Sequence, residues 1–184
     1  SWGFLDFSIR LSYMDNEKVT NVIENSHDGQ VSCLCASVDG SYIISGGRDS
    51  LIVVRKLKKT KGNRSFVFQK ALCGSFSPIT CLAVSRSFSA FISASEDNTI
   101  ILWDLNRLTF VKSITLPTHL TDSKVTHLAI NNITGNIVIV AGKWIIVRTI
   151  NGMELGIGEA PQTITAFTMT EFNDWLPCEY ITGH

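Results

Sequence analysis

An ungapped internal repeat constrains this chain more than any other feature. Shifting the sequence by 48 positions lays residues 30–57 on residues 78–105. Identical pairs include Cys33/Cys81, Leu34/Leu82, Ser37/Ser85, Ser41/Ser89, Ile44/Ile92, Ser45/Ser93, Asp49/Asp97 and Leu57/Leu105. A third copy begins at Val125, at a shift of 46, and needs a shift of 45 for Ile145–Ile150. A fourth begins near Thr163, and a partial copy opens the chain, where Asp6, Ile9 and Leu11 match the segment Asp97–Leu102. Each copy is one supersecondary unit that must stack on its neighbours to bury its apolar faces.

Within a copy the pattern is that of strands. The second copy predicts strands over Ile79–Val84, Ala90–Ala94, Thr99–Asp104 and Phe110–Thr115. They are rich in Val, Ile, Thr and Phe and are separated by Ser, Asn, Asp and Gly. No stretch keeps helical periodicity for 12 residues. Four short strands every 40 to 48 residues is the period of a propeller blade. The expected fold is therefore all-β: an incomplete propeller of about three full blades with partial blades at both ends. A β-sandwich is the alternative, but it gives no reason for Asp, Ser and apolar residues to recur at matched offsets. The units fall at 1–29 (partial), 30–77, 78–123, 124–162 and 163–184 (truncated). The chain opens at a third strand and stops where the third strand of its last unit would begin, so it reads as a piece of a longer protein.

Composition adds exclusions. Sixteen basic residues offset sixteen acidic ones, so no overall field favours nucleic acid. No apolar run reaches the roughly 20 residues of a membrane span. The N-terminus lacks a basic segment followed by an apolar one, so no secretory signal is read. Five cysteines, an odd number, lie mostly inside apolar alternation and are read as buried free thiols. Cys33 and Cys35 are expected on opposite faces of their strand, which disfavours a shared metal. The four histidines show no ligand spacing, and His127 shares its strand position with Cys33 and Cys81, so packing is expected of it. No phosphate loop, nucleophile elbow or zinc-protease motif occurs. We therefore expect no catalytic residues, no metal, no cofactor and no small-molecule substrate.

Residues Ser93–Leu105, S-A-S-E-D-N-T-I-I-L-W-D-L, resemble the end of a WD repeat, with Trp103-Asp104 as the dipeptide. Asp97 stands in the tight turn before the third strand, a place where a carboxylate accepts backbone N–H groups. The resemblance implies that the turn Asp pairs with a His at the start of the repeat, with a Ser or Thr of the second strand, and with the Trp indole. In this chain that network comprises His27, Ser45, Asp49, Ser93, Asp97, Trp103 and Asp104, all with structural rather than catalytic roles. The copies depart from the pattern. Gly74-Ser75-Phe76 stands where Gly-His is usual, Arg55 and Arg148 replace Trp103, and Gly142-Lys143 replaces the Asp turn. Such blades are expected to hold by packing alone.

The wording also resembles the C-terminal WD-repeat domain of BEACH-domain proteins, the beige and neurobeachin-like group. The segments that carry it are Gly3–Leu11, His27–Leu34, Ile100–Val111, Ile133–Ile139, Arg148–Gly152 and the ending E-F-N-D-W-L-P-C-E-Y-I-T-G-H. Ser12 and Arg55 depart from it, standing where an aromatic is expected. The resemblance implies a cytoplasmic scaffold, peripheral to endomembranes, acting in vesicle traffic, lysosome-related organelles or autophagy. Other proteins or peptides would bind at the propeller rims. A WD-repeat adaptor of another complex, a ubiquitin ligase or a coat, is the alternative, with nucleic-acid binding behind it. Lys56, Lys58, Lys59, Lys61 and Arg64 cluster in what reads as one loop, a candidate contact for acidic lipid or an acidic partner. Trp2, Trp144 and Trp175 are read as packing between blades rather than as rim anchors.

Overall fold

The computed structural model describes residues 7–12, 19–23, 26–60, 63–117, 120 and 123–169. Trp2, Lys61, His119, Trp175, Cys178 and His184, and the truncated unit past Met169, for which the sequence raises expectations, lie outside these residues.

The described residues form fourteen strands in four antiparallel sheets, and no helix among them is long and apolar enough to cross a membrane. A two-stranded sheet pairs β1 (Ile9–Ser12) with β2 (Val19–Ile23). The first full blade is β3 (Val31–Ala36), β4 (Tyr42–Gly47), β5 (Leu51–Thr60) and β6 (Asn63–Cys73), paired in sequence order. The second is β7 (Ile79–Ser85), β8 (Ala90–Ser95), β9 (Ile100–Asp104) and β10 (Thr109–Ile114). The third is β11 (Val125–Ile130), β12 (Ile137–Ala141), β13 (Trp144–Arg148) and β14 (Glu154–Glu159).

Antiparallel order puts the connections on two rims. The β4–β5, β8–β9 and β12–β13 turns share an upper rim. The β3–β4 and β5–β6 connections and their counterparts in the other blades share a lower rim. Tight turns need unusual backbone: Gly142, in the two-residue β12–β13 turn, sits at φ 61, where glycine bears no steric penalty.

The second strands carry apolar residues on both faces, and in blade 2 a blade lies on either side. β4 and β8 are buried at every position. One cluster joins blades 1 and 2 through Ile44, Val54, Phe91 and Trp103. A second joins blades 2 and 3 through Ile92, Leu102, Ile139 and Ile146. A smaller one, Ile9, Val31 and Ile43, seats the two-stranded sheet against blade 1.

Three sequence readings change. What reads as the loop Lys56–Arg64 is strand through Thr60 and again from Asn63, with Lys59 paired to Arg64 and Thr60 to Asn63. The ribbon is long because β5 and β6 have 10 and 11 residues against 5 and 6 in β9 and β10. Cys33 and Cys35 pack against the same cluster, since residues two apart on a strand share a face. The expectation of opposite faces was an error of period. The second blade is not held by packing alone, because Ser75 supplies a polar bond where the His is missing.

Candidate functional site

Of the polar residues singled out in the sequence, His27, Asp49 and Asp97 stand at the upper rim. In blade 1 the imidazole of His27 bridges strand β4 and the β4–β5 turn. Its Nδ1 is 3.0 Å from Asp49 Oδ1, and its Nε2 is 2.9 Å from Ser45 Oγ. A carboxylate only accepts, so Nδ1 carries the proton in that bond. Asp49 also accepts the backbone N–H of Asp28 at 2.9 Å and of Leu51 at 3.1 Å. The His27 side chain is fully buried. Space for the ring exists because residue 47 is glycine: a Cβ there would collide with His27 and Asp49 Oδ1.

Blade 2 builds the same corner from other side chains. Ser75, the positional counterpart of His27, donates to Asp97 Oδ2 at 2.9 Å. Ser95, the counterpart of Gly47, donates to Asp97 Oδ1 at 2.6 Å, and the Thr99 N–H donates to the same oxygen at 2.9 Å. Burial pushes the Asp97 carboxyl up, but the bonds from Ser95, Thr99 and Ser75 outweigh it and hold the group below the usual carboxylate range. Ser93, freed from any histidine, accepts the Trp103 indole N–H at 2.9 Å. Trp103 stacks on Phe91 at 6.0 Å and meets Phe110 edge-on at 6.3 Å. Asp104 stands apart, accepting the N–H groups of Asn106 and Arg107 at the lower rim.

At the Trp103 position blade 1 has Arg55. It lies opposite Ile43, is buried, and its Nη1 has no hydrogen-bond partner. Burial pulls its pKa below the ordinary guanidinium value. In blade 3 Ile139 stands at the Ser93 position, and Arg148 at the Trp103 position bonds Glu154 at 3.1 Å while its Nε is unpartnered. Trp144 is half-buried, with Lys143 Nζ 5.5 Å from its ring centre.

Sequence reasoning missed a repeated staple between blades. Each innermost strand is bulged at one place, between Val31 and Cys33, Ile79 and Cys81, and Val125 and His127. The hydroxyl residue in each bulge bonds back to its own second strand: Ser32 to Gly46 O, Thr80 to Ala94 O, Thr126 to Val140 O. Ser32 also donates to Ile79 O, and Thr80 to Val125 O at 3.5 Å, in the next blade. The signal was present as Ser, Thr, Thr at one offset in all three copies. The next position holds Cys33, Cys81 and His127. Burial pushes the Cys33 thiol up to about 11 and Cys81 to about 12. No group of three or more His, Cys, Asp or Glu among the described residues is placed to hold a metal ion.

Four-stranded blades with a carboxylate locking the turn before the third strand define a WD-repeat propeller segment. The family model for the WD domain, G-beta repeat, matches residues 18–55 and 66–104. Two solved structures share the fold: the WD40 repeats of RRP9, with a TM-score of 0.68, 20% identity and coverage of 82% of this chain and 44% of that one, and U3-55K, with a TM-score of 0.72, 20% identity and coverage of 86% and 47%. The chain is, more narrowly, homologous to the WD regions of BEACH-domain proteins. It is 36% identical to BEACH domain-containing protein A2 of Arabidopsis thaliana and 31% identical to the lysosomal-trafficking regulator of Homo sapiens, over 100% of this chain and 5% of each relative. It is 37% identical to the human WD repeat- and FYVE domain-containing protein 4 over 84% of this chain and 5% of that protein.

Proposed function

We propose that this chain is part of a non-catalytic interaction scaffold within a BEACH-type protein of membrane traffic, in the cytoplasm and peripheral to endomembranes. The observation that carries the reading is homology along the whole chain to BEACH-domain proteins, one of them a lysosomal-trafficking regulator. The geometry is compatible with it. The carboxylates of Asp49 and Asp97 are occupied in bonding turns and strands together, which leaves them unsuited to proton transfer. Protein or peptide partners would meet the rims, where Phe76, 99% exposed at the upper rim, offers an aromatic anchor.

The test is rescue. Cells lacking the full-length protein receive either the intact protein or one deleted for residues 1–184, and lysosome size and position are scored. The intact protein is expected to restore them and the deletion to fail. Full rescue by a stably expressed deletion would overturn the scaffold reading.

A further inference from the structure

Exposed apolar side chains are not spread evenly over the two rims. Among the described residues, Val38 (76% exposed), Phe88 and Ile133 sit in the β3–β4, β7–β8 and β11–β12 turns, which is the same lower-rim connection in each blade. Met153 (63% exposed) sits in the β13–β14 turn of that rim. Phe76 is the upper rim's exposed large apolar residue among those described. Neighbouring blades stack on blade faces rather than on rims, so ring closure would leave these turns open.

The same rim is basic. The β5–β6 ribbon extends past the end of blade 2's equivalent strands, with exposed Lys56 and Lys58 and with Lys59 and Arg64 opposite each other in register. Arg107 is exposed in the β9–β10 turn. Among the described residues, the acids of this rim are already engaged: Asp39 by Arg86 at 3.3 Å, Glu154 by Arg148 at 3.1 Å, and Asp104 by two backbone N–H groups. Hydrogen bonds from Ser37 and Ser41, helped by Arg86, hold the Asp39 carboxyl below its usual range, so it stays paired at neutral pH. Among the described residues, the outward charge of this rim is therefore cationic.

We infer that the lower rim lies on an anionic lipid surface, with Lys56 and Lys58 of β5 at the headgroups and Val38, Ile133 and Met153 entering the interface. Cations beside single apolar tips, repeated at one end of successive blades, suit a plane. A bound peptide would instead need a groove, and a cleft lined by Asp97, Asn98 and Ser113 lies at the opposite rim. The inference rests on the membrane-traffic reading but can fail apart from it.

Its test uses the full-length protein. Hydrogen exchange is compared with and without vesicles of phosphatidylcholine, or of phosphatidylcholine with phosphatidylserine. Protection is expected at residues 37–41, 131–136 and the β5–β6 ribbon, with the anionic vesicles only. Flotation then compares the charge reversal Lys56→Glu/Lys58→Glu/Lys59→Glu/Arg64→Glu with Val38→Asp/Ile133→Asp and with the upper-rim control Phe76→Asp. The reversal is expected to lower vesicle affinity by about 100-fold, since each basic residue near the surface adds a severalfold factor. The apolar pair is expected to lower it about tenfold, and the control not at all. Absence of protection at the rim overturns the inference. So does protection by soluble polyglutamate but not by vesicles, which would assign the rim to an acidic protein. If the rim is silent while the 1–184 deletion still fails to rescue, the scaffold stands without this lipid contact.

Discussion

Blades 1 and 2 place the same turn carboxylate at the same corner, yet each keeps a different half of the bonding network around it. Blade 1 keeps the histidine: His27 bridges Asp49 and Ser45, and Gly47 makes room for the ring. It lacks the indole, and Arg55 fills that place with a buried side chain whose Nη1 has no partner among the described residues. Blade 2 keeps the indole: Trp103 bonds Ser93 and stacks on Phe91. It lacks the imidazole, and two serines, Ser75 and Ser95, reach Asp97 from either side. The unit of substitution is therefore the corner and not the residue. A large ring beside glycine and two hydroxyls are alternative ways to satisfy the same turn carboxylate, and an unsatisfied acceptor costs more than either solution.

The largest expected effect breaks blade 2. Trp103 is nearly fully buried, so Trp103→Ala should destabilise by about 4 kcal/mol through lost area, the cavity and a stranded Ser93 hydroxyl. Native-state hydrogen exchange should show β8 and β9 opening sooner while β4 holds its protection. Equal loss in both blades would mean that the two open as one unit, and the comparison would lose its meaning.

The next variant converts one corner into the other. His27→Ser should cost blade 1 about 2–3 kcal/mol, because Asp49 loses a bond and a void opens where the ring sat. Gly47→Ser alone should also harm, since its Cβ meets the ring. Together they reproduce the Ser75/Ser95 arrangement, and the double variant is expected to be about 1 kcal/mol more stable than the sum of the two single costs predicts. Strict additivity in denaturant melts would show that the two corners are not interchangeable.

Acid separates the contribution of the serines. The folded Asp97 carboxyl titrates below its unfolded value, so its contribution is present at neutral pH. That contribution should fall as pH drops below about 4, the unfolded carboxylate value, and vanish below the folded one. The loss should be about 1–2 kcal/mol, discounted because the carboxylate is partly exposed to solvent. Asp97→Asn should remove this acid dependence of β8–β9 protection. Unchanged dependence would place the titrating group elsewhere.

The blade order and strand positions were legible because period-two alternation and matched turn residues repeat in three copies. The β8 strand read as Ala90–Ala94 is observed as Ala90–Ser95. The corner of blade 1 was readable from His27 and Asp49, since both residue types stand at expected offsets. The corner of blade 2 was not. Serine is common, and nothing local distinguishes Ser75 and Ser95 from solvated turn residues until the fold sets both against Asp97. The basic segment was misread as a loop because Lys and Gly signal turns, whereas continued pairing from Arg55 to Thr60 is a cross-strand property. The bulge hydroxyls Ser32 and Thr80 bond carbonyls in the next blade, a contact that no within-copy pattern encodes.

The smallest expected effect asks whether Arg55 is a defect. Its side chain is buried, and Nη1 has no hydrogen-bond partner among the described residues to offset its desolvation. Replacing such a group by an apolar side chain of similar length is commonly neutral or stabilising, so Arg55→Met should stabilise blade 1 by about 1 kcal/mol. Thiol labelling reads this blade by blade. Cys73 is exposed and should react at once. Cys33 and Cys35 in blade 1, partly buried, and Cys81 in blade 2, buried, have thiols pushed up by desolvation, so they react slowly until their blade opens. Arg55→Met should slow labelling of Cys33 and Cys35 about fivefold and leave Cys81 unchanged. Faster labelling at Cys33 would mean that Arg55 holds the blade against the β1–β2 sheet. In that case blade 1 would have replaced the indole rather than lost it.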